Sequence, residues 1–153
     1  MVSEMAPIIL LIRHLVERGE LLIIEEPESH LHPAAQRRLV QALARLRSEK
    51  VSLLLTTHSD YFLQQLSNLL RLGALSAERK DRLGYNEKEA IPSNSVGAYL
   101  FDTKGEQPGS VIQELEVTDR DGIPEDAFVD VAEALYDEMV GLERAVTRDE
   151  STD

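Results

Sequence analysis

The feature that most constrains the fold of this chain is the stretch LLIIEEPESHLHP, from Leu21 to Pro33. Its apolar beginning, Leu21 to Glu25, predicts a buried strand that runs directly into the carboxylates Glu25 and Glu26, and Pro27 then ends the strand pairing. Open α/β sheets bind ligands in the crevice beyond the carboxyl ends of their strands, where such acidic groups can act on them. The pattern therefore indicates a functional site; the alternative is a solvated acidic turn.

A second strand with a polar exit follows at the distance that a crossover helix requires. The sequence VSLLLT, from Val51 to Thr56, predicts this strand, and Pro33 suits the first turn of the helix between the two strands. A strand, a helix and a second strand form a βαβ unit, and its right-handed crossover makes the strands parallel. We therefore expect Glu26 and His58 to emerge at the same edge of the sheet.

Apolar residues at helical spacing predict three helices around this sheet. The first runs from about Glu4 to Arg18, the second begins at Pro33, and the third has Ser59 as its N-cap and stops at Gly73. The predicted buried faces consist of Met5, Ile8, Ile9, Ile12, Leu15 and Val16 in the first helix, Leu39, Val40, Leu43 and Leu46 in the second, and Phe62, Leu66, Leu69 and Leu70 in the third.

The composition changes after Gly73, where charged residues and turn formers become frequent. The predicted elements are, in order, a short helix with a mobile loop (Ser76–Ala90), a hairpin of two strands (Ser95–Asp102 and Ser110–Thr118) and an amphipathic helix (Asp126 to about Arg144). Residues 74–153 are therefore expected to form an acidic extension that packs on the domain formed by residues 1–73.

The net charge of −12 lies entirely in the second part of the chain. Residues 1–73 carry eight Lys and Arg against eight Asp and Glu, whereas residues 74–153 carry eight against twenty. Nucleic-acid affinity comes mainly from basic side chains on phosphates, so we expect no direct nucleic-acid binding by this chain. A solvated acidic face explains the charge more simply than an acidic docking surface.

Cysteine is absent from the chain, which excludes disulfides and thiolate metal sites and fits a reducing compartment. The longest apolar run, Pro7 to Ile12, is too short to span a membrane and lacks the basic start and cleavage site of a signal peptide. We therefore expect a cytoplasmic protein with no membrane partner.

LLIIEEPESHLHP, followed after a helix by LLLTTHSDYF, resembles the Walker B strand, D-loop and histidine switch of ABC-type ATPases. It is most similar to the soluble AAA-like branch that includes RecF, SMC and the overcoming-lysogenisation-defect (OLD) nucleases. The resemblance extends from Ser3 to about Leu72. It implies an α/β fold with a partial P-loop NTPase core, in which parallel strands are flanked by helices, and a C-terminal hairpin and helix complete the chain.

The resemblance also implies roles for individual residues. Glu25 would hold Mg²⁺ through water, Glu26 would polarise the attacking water as the catalytic carboxylate, and His58 would donate a hydrogen bond to the γ-phosphate. Ser3 lies about where the signature serine stands, although VSEMAP lacks the glycines of LSGGQ and an ordinary N-cap explains Ser3 equally well. The D-loop residues, which would contact a partner subunit, are Ser29, His30, Leu31 and His32.

The chain contains no G-x-x-x-x-G-K-[ST] motif, the loop that supplies most nucleotide affinity in P-loop enzymes. In the resembled family this loop lies N-terminal to the segments seen here. We therefore expect the carboxyl-terminal half of an ATPase core, from a truncated, split or mis-started gene, which needs an upstream Walker A segment in cis or in trans. ATP and Mg²⁺ are the expected cofactors of the completed enzyme.

The resemblance implies a second copy or another ATPase subunit as partner, in a DNA-repair or phage-defence machine whose nuclease would be a separate chain. One alternative is a non-enzymatic module that docks on a complete ATPase. Another is a metal-binding protein that uses His30, His32, Glu25, Glu26 and Glu28. An in-frame Gly-Lys-Ser/Thr segment in the DNA just upstream would favour the ATPase over both alternatives.

Overall fold

Residues 21–73 form two strands and two helices in alternation. The computed structural model describes residues 10, 16–102, 109–124 and 133–143. The elements in this part are β1 (Leu21–Glu25), α1 (Pro33–Ser48), β2 (Ser52–Thr56) and α2 (Asp60–Gly73). This is a mixed α/β arrangement with a parallel sheet flanked by helices, as in part of a P-loop NTPase core, and it confirms the predicted fold class.

β1 and β2 pair in parallel, in a register that runs from Leu21 opposite Ser52 to Glu25 opposite Thr56. β2 begins one residue later than the sequence predicts, because Val51 donates its N–H to the carbonyl of Leu46 at the end of α1. Since the strands run in the same direction, their carboxyl ends meet at one edge of the sheet.

The two faces of this sheet differ in burial. Leu22 and Ile24, together with their partners on β2, are partly buried, and Ile24 packs against the helical core. On the opposite face Leu21, Ile23 and Leu54 are 59%, 60% and 54% exposed. The prediction of a buried β1 is therefore wrong for one face, where apolar side chains of both strands are open to solvent.

The hydrophobic core lies between the sheet and the helices α1 and α2. His32 caps α1 by accepting from the N–H of Ala34 at its Nδ1 (3.3 Å), and Ser59 caps α2 by accepting from the N–H of Phe62 at its Oγ (3.3 Å). The core consists of Leu31, Ala35, Leu39, Val40, Leu43, Ala44, Phe62, Leu69, Leu70, Leu72, Ile91 and Ile123. The buried faces predicted for α1 and α2 are therefore confirmed, although Leu46 and Leu66 are only partly buried.

The helix predicted from Glu4 to Arg18 ends earlier than expected. Residues 16–20 form coil and a turn rather than helix. Gly19 has a φ of 92° and donates its N–H to the carbonyl of Lys50 (3.0 Å), so the chain must turn there to align β1 with β2. Leu10 is helical, and the rest of the predicted helix lies outside the described residues.

The segment after α2 packs on α1. It contains the predicted short helix, α3 (Ala77–Arg82), followed by two short 3₁₀ turns (Glu87–Glu89 and Ser93–Ser95) in and after the stretch where the sequence predicted a loop. Glu89 is buried, pairs with the guanidinium of Arg45 on α1, and its second oxygen accepts from the N–H of Asn86 (3.4 Å). The ion pair holds the segment in place, and neither partner could be identified from local sequence.

The predicted hairpin is present with shorter strands, β3 (Ala98–Asp102) and β4 (Val111–Leu115), which pair antiparallel. After it, a turn at 118–122 docks on α2: Arg71 donates to the carbonyls of Arg120 (3.1 Å) and Asp121 (2.7 Å), and Ile123 donates its N–H to Ser67 Oγ (3.1 Å).

Residues 133–143 are helical, within the helix predicted for 126–144, and the remainder of that prediction lies outside the described residues. In the part of the chain that the structure describes, no helix is both long enough and apolar enough to cross a bilayer.

Candidate active site

Glu26 occupies the sharp turn at the carboxyl end of β1. Its N–H donates to the carbonyl (3.0 Å) and the hydroxyl (3.1 Å) of Thr56, the last residue of β2. Its φ is 43°, the left-handed region that residues with a side chain rarely adopt and that clusters at functional sites. The pairing with β2 therefore fixes the backbone of Glu26 in a strained conformation at the sheet edge.

The Glu26 carboxylate contacts residues from two loops. Its Oε1 lies 3.3 Å from Nε2 of His58, and its Oε2 accepts a hydrogen bond from the hydroxyl of Ser29 (3.0 Å). The side chains of Glu26 and His58 are 48% and 85% exposed, so an incoming ligand can reach both. An exposed contact of this kind adds little to the stability of the fold. Its importance is that it sets the position of the His58 ring relative to the Glu26 carboxylate.

Glu25 lies beside this pair but faces elsewhere. As the last residue of β1 it follows Leu21 and Ile23 on the open face of the sheet, and it is exposed. Among the residues that the structure describes, no hydrogen bond or ion pair holds its carboxylate. Glu25 and Glu26 are therefore adjacent in sequence but share no contact partner among the described residues. The Glu25 oxygens can accept hydrogen bonds from the water molecules of a hydrated cation.

Glu28 has a place in the site that the sequence did not predict, because the sequence offered it only as a ligand of the alternative metal centre. It is only 6% exposed, and its Oε1 accepts from the hydroxyl of Thr57 and from the N–H of His58 (3.3 Å). Its carboxylate thus connects the turn after β1 to the loop after β2. No local signal marks its burial, because its partners Thr57 and His58 lie 29 and 30 positions away in the sequence.

A family model matches residues 3–64, and its description is "AAA domain, putative AbiEii toxin, Type IV TA system". The match supports a P-loop NTPase, AAA-like family. It does not distinguish the RecF, SMC and OLD branch from other AAA-like families. Comparisons with curated proteins and with solved structures gave no match.

The AAA-like stretch contains every residue that the sequence predicted for the site, and the structure brings some of them together. Glu26, His58 and Ser29 form one contacting group, with Glu25 next to it. Ser3, the candidate signature serine, lies outside the described residues.

The segment predicted to be a D-loop, residues 29–32, has three exposed side chains and one buried side chain. Ser29, His30 and His32 are exposed, and His30 has a φ of 65° that turns the chain outward. Leu31 is buried in the core between them, so it cannot contact a partner while that core is intact. The surface predicted for a second subunit therefore reduces to the three polar residues.

The alternative of a metal centre built from histidines and glutamates of this segment is not supported by the geometry. The described part of the chain, which includes all five candidates, contains no group of three or more His, Asp or Glu side chains that could hold a metal ion. Glu28 points to Thr57, and His32 caps α1 with its Nδ1, so these two are engaged elsewhere.

Proposed function

We propose that this chain is the carboxyl-terminal part of an ABC-type ATPase that binds and hydrolyses ATP when an upstream Walker A segment completes it, in cis or in trans. The observation that carries the proposal is the contact of Glu26 with His58 at 3.3 Å, made at the carboxyl edge of a parallel sheet. Ligands of open α/β sheets bind at this edge. The AAA-like match over residues 3–64 supports the same reading.

The residues present fit the needs of phosphoryl transfer, which depends mainly on positioning and on charge stabilisation. Glu26 is exposed, so its carboxylate can orient and polarise a water, and Ser29 and His58 hold it in place. The Nε2–H of His58, which lies against Glu26 here, can turn to donate to a phosphate oxygen when a nucleotide binds. Glu25, whose carboxylate has no hydrogen bond or ion pair with any described residue, would hold Mg²⁺ through water, and the ion would neutralise charge on the phosphate oxygens.

The sheet itself supports a larger core. Parallel sheets are normally covered on both faces, whereas the β1–β2 sheet has Leu21, Ile23 and Leu54 open on one of them. In the described residues each strand pairs only with the other, which leaves both outer edges unpaired. Additional strands and helices of an ATPase core would cover these surfaces.

Glu26→Gln tests the catalytic assignment in the chain joined to a Walker A segment. The change keeps size and hydrogen bonding but removes the charge that activates water, so hydrolysis should fall by roughly 10²–10⁴-fold while ATP still binds. Glu20→Gln is the matched control, because Glu20 is an exposed carboxylate just before the opposite end of β1. Normal turnover in both the Glu26→Gln and the Glu25→Gln enzymes would refute the Walker B assignment.

Glu25→Gln tests the metal assignment separately. The variant should need more Mg²⁺ for half-maximal hydrolysis, because its proposed contact is with the ion's water. If Glu25→Gln abolished turnover while Glu26→Gln left it intact, the roles of the two carboxylates would be reversed. Calorimetry with Mg-ATP should show little binding by the 153 residues alone, and micromolar affinity would contradict the half-core proposal.

A second candidate is a non-enzymatic module that docks on a complete ATPase through the open sheet face. The exposed apolar residues of that face favour docking, whether or not catalysis follows. For the biological setting we propose a DNA-repair or phage-defence machine, working as a dimer with a second copy or another ATPase subunit. The toxin named in the matched family's description fits the defence setting.

A further inference from the structure

We propose that Glu28 is a positioning residue: its buried carboxylate sets the main chain of residues 57–59 and thereby holds the His58 imidazole beside Glu26. The relevance of this contact to hydrolysis rests on the proposed function. The positioning itself is a property of the folded chain and can be measured without nucleotide.

One oxygen of Glu28 organises three consecutive residues. Oε1 accepts from the hydroxyl of Thr57 and from the N–H of His58 (3.3 Å). The Thr57 hydroxyl in turn accepts from the N–H of Ser59 (3.1 Å), the N-cap residue of α2. These hydrogen bonds therefore tie the backbone of the loop that carries His58 to the turn that carries Glu26.

The His58 side chain needs such support because little else restrains it. Its side chain is 85% exposed, and among the described residues its ring lies against Glu26, with Nε2 3.3 Å from Oε1. An exposed ring on a loop loses rotamer freedom when it is held, and one weak surface contact does not offset that loss. Fixing the main chain at His58 limits the positions that the imidazole can occupy.

Burial of Glu28 is hard to explain by packing alone. Its Oε2 has no hydrogen-bond partner among the described residues, and a buried carboxylate with an unpaired oxygen is destabilising. Glu89 offers a contrast within the same chain: it is equally buried, but Arg45 neutralises it and the Asn86 N–H binds its second oxygen. Glu89 has the contacts of a structural carboxylate, whereas the hydrogen bonds of the Glu28 carboxylate all go to the loop that carries His58.

NMR on the full chain tests the proposal with three variants: Glu28→Ala, Glu28→Gln and the control Glu89→Ala. In Glu28→Ala, exchange of the His58 amide hydrogen should accelerate about ten-fold or more relative to core amides, and the nuclear Overhauser contacts between the His58 ring and Glu26 should disappear. Glu28→Gln keeps the acceptor oxygen and should preserve both signals. Glu89→Ala should lower stability without a selective effect at His58.

Two results would overturn the proposal: native exchange and native ring contacts in Glu28→Ala, or equal losses in the Gln and Ala variants. If Glu28→Ala does not fold, Thr57→Val decides, because it keeps the shape and removes the hydroxyl. Faster exchange of the Ser59 amide in Thr57→Val supports the proposal, and unchanged exchange at both Ser59 and His58 overturns it.

Kinetics in the completed ATPase separate this proposal from the proposed function. Glu28→Ala should lower kcat with little change in KM for ATP, and Glu28→Gln should restore it. Wild-type kcat in Glu28→Ala, in an enzyme that Glu26→Gln inactivates, would overturn the positioning role. If Glu26→Gln and Glu25→Gln were both fully active, the proposed function would fail, and the NMR result would still decide whether Glu28 positions His58.

Discussion

Residues 21–73 and the described residues between 98 and 143 use their apolar side chains in opposite ways. The first region buries side chains such as Leu39 and Phe62 between its helices and one face of its sheet. The second packs Ala98 and Leu115, at one end of its hairpin, against that core and exposes Tyr99 and Phe101 on the outer side. In the helix 133–143 the exposed apolar side chains are Leu135, Tyr136, Met139 and Leu142.

This difference separates the part of the molecule that forms the core from the part that leaves apolar surface available to a partner. Alternating elements with short connections let the first region close a core from its own residues. The second region adds one inner face and the turn at 118–122 to that core and leaves its remaining apolar surface uncovered. Contiguous exposed apolar surface marks sites of association, so the second region and the open face of the β1–β2 sheet are where partners should bind.

The largest expected effect is a difference in stability between two Leu→Ala variants, one in each region. Leu39→Ala removes a side chain that is fully buried, so the free energy of unfolding should fall by about 2–5 kcal/mol. Leu142→Ala makes the same chemical change at an exposed position in the helix 133–143 and should stay within about 0.5 kcal/mol of the wild type. Urea unfolding followed by circular dichroism measures both; similar losses would refute the contrast.

A second prediction tests the contact between the regions at Gly122. A Cβ there would lie 2.5 Å from the Ser67 Cβ, and φ is 79°. Gly84 has almost the same φ, 76°, but nothing within 4 Å of such a Cβ. Gly84→Ala should therefore cost about 1–2 kcal/mol for the backbone alone, and Gly122→Ala about 1–3 kcal/mol more for the clash. Equal losses would mean that the turn at 118–122 moves freely away from α2.

A third prediction asks which open apolar surface drives self-association. The double variant Ile23→Thr with Leu54→Thr keeps strand propensity but removes the apolar face of the sheet, and it should elute later in size-exclusion chromatography than the wild type. Phe101→Thr with Ile112→Thr, a cross-strand pair of the hairpin, is the matched comparison. A compact, monomeric wild-type chain would contradict the expectation that the sheet face needs a cover.

The smallest expected effect concerns two ion pairs that join the segment after α2 to α1. Lys88 and Glu49 are both exposed, and the hydrogen bond and charge of Lys88 lower the pKa of Glu49. A carboxyl group with a lowered pKa in the folded state stabilises it above the ordinary value of about 4.3, and this contribution disappears as the pH falls below that value.

Glu49→Gln should therefore change the melting temperature little at pH 7, because solvent screens the exposed pair, and less still at pH 3, where more of the Glu49 carboxylate is protonated. Glu89→Gln, at the buried pair with Arg45, should have the larger effect at pH 7. Differential scanning calorimetry at both pH values provides the comparison, and an equal response of the two variants would contradict it.

The sequence predicted the elements of residues 21–73 well because their signals are local. Ser59 and Gly73 mark the two ends of α2, and the acidic exit of β1 marks the site. It could not predict which face of the sheet is open, since an apolar strand looks the same with one covered face or two. The burial of Glu28 and Glu89 depends on Thr57 and Arg45, which are 29 and 44 positions away, and no local pattern reports such pairings.

The parallel register also determines when the site can form during protein synthesis. Glu26 is bound to Thr56 across 30 positions, so no hairpin can bring the two strand ends together. The whole α1 crossover must be made and its loop closed, at an entropic cost, before Glu26 meets His58. On the ribosome the carboxylate therefore emerges long before its partner, and the nascent chain has no site until residues beyond β2 have left the exit tunnel.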